Sequence, residues 1–173
     1  MPTLNYLEAK GSPFETGQAL GRFGAAAMQD YARTSPAWAT VMRHRGTPAA
    51  EAMAALVRAR FPRIWSELQG LAAGLELPFE DVFLWNCRGD LWAMAPDGCT
   101  TVQQAGVQRR ITHNEDGDPA FAGRCAIAAC AVEGGASFAS FVYPGSLPGH
   151  TFAVTERGLA MTVNNLRCLN VRP

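Results

Sequence analysis

The feature that most constrains this chain is a change of texture at Gly98-Cys99. Upstream, apolar and small residues recur at spacings of three and four between prolines, the pattern of amphipathic helices. Downstream, the chain breaks into short runs rich in β-branched and aromatic residues, parted by Gly, Pro or charged turns. Helices followed by successive strands imply a layered α+β architecture.

In the upstream half, Ala19, Leu20, Phe23, Ala26, Ala27 and Tyr31 mark one helical face; Gly17, Gly21 and Gly24 weaken its start and Pro36 must interrupt it, so two helices are expected from Phe14 to about Arg45. Thr47-Pro48 supplies a cap and a first-turn proline for a helix running to Phe61. Pro62 opens another, carrying Ile64, Trp65, Leu68, Leu71 and Ala72, with Gly74 expected at its end. Pro78 to Cys87 gives a last helical turn or two. Trp38, Trp65, Trp85 and Trp92 are expected to pack this half against the sheet.

Strands are predicted at Cys99 to Val102, Gln108 to Thr112, Arg124 to Val132, Phe138 to Tyr143, Thr151 to Thr155 and Leu159 to Val163. At 173 residues with 48% apolar content, the chain suits one core. Lys plus Arg balance Asp plus Glu at 15 each, which argues against nucleic acid or an anionic membrane as partner and for a small molecule. No apolar run approaches the roughly 20 residues that span a bilayer, and the start lacks a signal-like pattern, so a cytoplasmic protein is expected.

Cys87, Cys99, Cys125, Cys130 and Cys168 are too few and too irregular for a disulfide framework. No Cys-x-x-Cys pair occurs and His44, His113 and His150 lie far apart, which argues against a metal site. A loop starting at Asn114 does not make a calcium site, because its glycine is misplaced and Cys125 stands where a bidentate Glu belongs.

Cys99 differs from the other cysteines by position. A cysteine opening a sheet after a helical leader is suited to become a new chain start. Gly98 can adopt backbone conformations closed to other residues, which would let the Cys99 sulfur reach the Gly98 carbonyl and shift the acyl group from nitrogen to sulfur. Hydrolysis then frees the Cys99 amine, whose pKa of about 7.7 to 8.0 lets it accept the thiol proton of its own residue.

Three stretches then resemble the penicillin acyltransferase family of N-terminal-nucleophile hydrolases, and more distantly bile-salt hydrolases: Gly98-Cys99-Thr100-Thr101, Ile111-Thr112-His113-Asn114-Glu115-Asp116 and the run from Glu156 to Asn164. Leu68 to Gly74 and Asp81 to Cys87 resemble its pro-segment. The resemblance implies an αββα sandwich, with residues 1–98 as a helical pro-segment and 99–173 as the start of a catalytic portion built on an antiparallel sheet. It implies a fragment too, since the family's catalytic portion is longer than the stretch from Cys99 to Pro173.

The activity implied is self-cleavage between Gly98 and Cys99, then hydrolysis or exchange of acyl groups through a Cys99 thioester. A coenzyme A thioester is the implied co-substrate, with no bound cofactor; the two portions stay associated and homo-oligomers can form. The family's Asn-x-Asp motif maps onto Asn114-Glu115-Asp116 and gives Asp116 an orienting role beside the nucleophile. Asn164 is the implied oxyanion donor, with Asn165 the alternative register; removing one such donor costs roughly 3 to 4 kcal/mol. The rival reading is a non-catalytic interaction module that retains part of this framework.

Overall fold

Proline fixes where the helices begin. In the computed structural model, which describes residues 4–91 and 98–165, α1 (Pro13–Thr34), α2 (Pro36–Met42), α3 (Pro48–Arg60) and α4 (Pro62–Leu75) each carry a proline in the first turn, where its missing N–H removes no helical bond. Ser12 caps α1 in a reciprocal capping box with Glu15, and Thr47 caps α3 as expected. Two shorter helices follow, α5 (Phe79–Asn86) and α6 (Arg88–Leu91).

The glycines of α1 do not weaken it; they let it meet α4 backbone to backbone. A Cβ on Gly17 would lie 1.9 Å from the Glu67 carbonyl oxygen, and one on Gly70 would lie 1.9 Å from that of Phe14. Gly21 and Gly74 repeat the arrangement one turn along. Gly74 is therefore a packing residue inside α4, and Glu76, at φ 56°, takes the left-handed position that ends the helix.

All six predicted strands form: β2 (Gly98–Gln104), β3 (Arg110–Asp116), β4 (Ala126–Val132), β5 (Phe138–Val142), β6 (Phe152–Thr155) and β7 (Ala160–Thr162). One further strand, β1 (Asn5–Gly11), lies within the upstream half and was not expected there. The main sheet runs β1-β4-β5-β6-β7, and β2 and β3 form a separate hairpin. β1 pairs with β4 in parallel from Asn5↔Ala126 to Gly11↔Val132, so the sheet is mixed where an antiparallel one was expected; its other pairs are antiparallel. The parallel pairing is reached by a long crossover, with α1 to α6 and the β2-β3 hairpin lying between the two strands in the chain. The α+β class stands as predicted, consistent with an N-terminal-nucleophile sandwich.

The core lies where α1, α4 and α5 meet the sheet: Met28, Leu71, Leu75, Leu84 and Val142 are fully buried with Ala9, Ala126 and Ala128, whose small side chains let the helices approach closely. Trp38 and Trp85 are buried against each other at 5.3 Å, while Tyr31 links Trp85 to Phe121. Trp65 meets Phe79 edge to face and Phe83 at a tilt; Trp92 lies outside the described residues. Among the described residues no helix is long and apolar enough to cross a membrane.

Candidate active site

Strand alternation builds the site. Along β2, Cys99 and Thr101 point to one face while Thr100 and Val102 point to the other; in the antiparallel register Cys99 pairs with Glu115 and Thr101 with His113. Four side chains able to do chemistry thus share the inner face of a two-stranded hairpin, all half-buried.

The Cys99 thiol donates to Glu115 Oε2 at 3.1 Å, and His113 Nε2 lies 3.2 Å from that same oxygen. The other carboxylate oxygen, Oε1, accepts from the Tyr143 hydroxyl at 3.3 Å. Gly117 makes room for this contact, since a Cβ there would fall 1.9 Å from the Tyr143 hydroxyl. Burial, reinforced by Glu115, pushes the Tyr143 phenol well above its usual range, so it remains a donor.

Asn164 follows β7 and reaches back to β2. Its Nδ2 donates to the Cys99 carbonyl at 2.8 Å, and its Oδ1 accepts from the Thr101 hydroxyl. Thr101 Oγ1 also lies 3.1 Å from the Thr162 hydroxyl and 3.0 Å from His113 Nδ1. With its own proton given to Asn164, Thr101 can only accept from His113, which places a hydrogen on Nδ1 and turns Nε2 toward Glu115.

Of the residues singled out from the sequence, Cys99 and Asn164 are joined by a hydrogen bond, whereas Asp116 points to the outer face. Its Oδ1 accepts from Asn114, and its register partner is Gly98. Gly98 lies in extended strand, and a Cβ added there would sit at an ordinary contact distance of 3.4 Å from Asp116 Oδ2. Asp116 thus flanks the Gly98–Cys99 bond, while Glu115 holds the thiol. Asn165 is exposed, next to Asn164 at the end of the described residues.

Glu115, His113 and Tyr143 are the members that sequence reasoning did not nominate. The signal for the first two was the period-2 alternation once Cys99 is paired across the hairpin. The connection over residues 105–109 follows none of the two-residue turn patterns that fix register from sequence. The remaining described cysteines have a different character: burial pushes Cys87 and Cys125 to about 11 and Cys130 to about 12, which keeps them as inert thiols. Cys168 lies outside the described residues.

No curated protein matches the chain. Residues 102–172 match the sequence model of a family, and the matched stretch contains His113, Glu115, Asp116, Tyr143 and Asn164 and begins just after Cys99. Over residues 102–172 the chain therefore carries the pattern of the acyl-coenzyme A:6-aminopenicillanic acid acyl-transferase family.

Proposed function

We infer that this chain is a self-processing cysteine N-terminal-nucleophile amidohydrolase or acyltransferase, cut between Gly98 and Cys99. The observation that carries the reading is the Cys99 thiol donating to Glu115 near the head of β2, three residues before the matched stretch begins. In the uncut chain the Cys99 nitrogen belongs to an amide and cannot act as base. Glu115 is the carboxylate in contact with the thiol and takes its proton while Sγ attacks the Gly98 carbonyl carbon. The C–N bond breaks, the Cys99 nitrogen gains a proton, and water hydrolyses the thioester to a Gly98 carboxylate and the restored thiol.

In the mature form the Cys99 amine is the base, Asp116 orients it from the position opposite Gly98, and Asn164 supplies an N–H to the developing oxyanion. A small-molecule acyl amide or a coenzyme A thioester acylates Cys99; water then gives hydrolysis, and an amine or thiol acceptor gives transfer. Neither a bound cofactor nor a nucleic-acid or membrane partner enters this scheme, which suits the neutral charge balance of a cytoplasmic enzyme.

Intact mass measurement of the parent beside Cys99→Ala tests the reading. The parent should yield two pieces divided before Cys99, and the variant a single chain. An uncut parent whose Cys99 also resists acylation by an activated ester would remove the basis for the enzyme.

A further inference from the structure

We propose that Cys99, His113 and Glu115 form a Zn²⁺ site that holds the nucleophile silent when occupied. Sγ, Nε2 and a carboxylate oxygen of these residues all lie within 4.8 Å of one another. Two sides of the triangle are already short, 3.1 Å from Sγ and 3.2 Å from Nε2 to Glu115 Oε2. Zinc bonds of about 2.0 to 2.3 Å in tetrahedral geometry put neighbouring donors about 3.3 to 3.6 Å apart, so only the Sγ–Nε2 side must close. A thiolate, an imidazole and a carboxylate together form a donor set that suits zinc, with the fourth position left for water.

The surroundings point the donors inward. Thr101 accepts from His113 Nδ1 and so turns Nε2 toward Glu115, and Tyr143 occupies Glu115 Oε1 and leaves Oε2 facing the cysteine and histidine. At 3.2 Å, His113 Nε2 and Glu115 Oε2 attract each other when a proton or a cation lies between them. Outer hydrogen bonds of this kind fix ligand tautomer and orientation in zinc sites. The His113 side chain is only 4% exposed and that of Glu115 19%, so an ion held between them would be partly shielded from solvent. On binding, Cys99 gives its thiol proton to solvent and its sulfur lone pair to the metal, which removes the nucleophile. Metal binding stands on the geometry alone; silencing of self-cleavage rests on the function proposed above.

The test titrates the full chain, freed of metal by chelator, with Zn²⁺ and with Co²⁺, whose thiolate charge-transfer absorption reports sulfur ligation. One ion per chain is expected, with the absorption lost in Cys99→Ser and kept in Cys87→Ser. His113→Gln and Glu115→Gln should each weaken binding by about tenfold or more. Unchanged affinity in both glutamine variants, or absorption that persists in Cys99→Ser, would overturn the site. A second measurement needs no variant: Zn²⁺ should protect Cys99 of the parent from iodoacetamide, read by peptide mass, and equal alkylation with and without zinc would equally overturn it. If the parent self-cleaves, Zn²⁺ should halt scission and chelator restore it; a parent that binds zinc but never cleaves sinks the enzyme and leaves the site.

Discussion

Asn164 Nδ2 donates to the Cys99 carbonyl at 2.8 Å, which ties the end of β7 to the residue beside the proposed scission point. The amide is held from its other side by Thr101, so its orientation is fixed before any substrate arrives. If this N–H serves the oxyanion, Asn164→Ala and Asn164→Asp should both slow acylation of Cys99 by an activated ester by about 100-fold. Loss in the alanine variant alone, with aspartate at the parent rate, would assign Asn164 to packing.

Gly98 offers a sharper separation of folding from chemistry. Its strand conformation and open surroundings accommodate a methyl group, so Gly98→Ala should unfold within about 1 kcal/mol of the parent in urea. Scission should nonetheless slow, because the rearranged backbone needed for attack is closed to alanine. Equal scission rates would show that attack proceeds from the extended strand.

Gly70→Ala should have the opposite profile. The added carbon would lie 1.9 Å from the Phe14 carbonyl oxygen, so α1 and α4 must separate. A loss of about 3 kcal/mol or more is expected, read as a fall in Tm of about 10 °C.

Glu67 makes stability depend on pH. It is 8% exposed, and burial, opposed in part by Arg63, pushes its carboxyl up to about 7. Because the folded pKa lies above the unfolded one, the folded chain holds a proton that the unfolded chain has lost, and stability falls as pH rises from about 4.5 to 7. Glu67→Gln should flatten this dependence and exceed the parent at pH 8 by up to about 3 kcal/mol. Parallel stability curves for the two proteins between pH 4 and 8 would refute the assignment.

Thiol labelling should be selective. With Cys125 at about 11 and Cys130 at about 12, their thiolate fractions at pH 8 are at most about one in a thousand. Iodoacetamide should label Cys99 first and reach Cys125 and Cys130 only after denaturation, as peptide mass mapping would show. Early labelling of Cys130 would contradict its burial in the core.

The sequence was legible where local chemistry decides structure. Prolines at 13, 36, 48 and 62 fix the helix starts, and short runs rich in β-branched and aromatic residues between turns mark six strands. β1 escaped because Asn5, Tyr6, Glu8 and Lys10 leave only Leu7 and Ala9 as an apolar face, and its pairing with β4 is a long-range event. The glycines of α1 and α4 read as breakers because their purpose lies in each other. At the site, Cys99 and Asn164 were legible, and Glu115 and His113 were not, because their membership depends on which residue of β3 faces Cys99.

The parallel seam between β1 and β4 bears on what a cut at Gly98–Cys99 would leave behind. The upstream piece would own the first strand of a sheet whose remaining strands belong to the downstream piece, along with α1 and α4, which roof it. Such a cut would convert one polypeptide into two subunits with a shared interior. A gene beginning at Cys99 would then encode a protein missing one wall and its roof, so active enzyme should be obtainable by expressing the full chain or both pieces together, and not from the second piece alone.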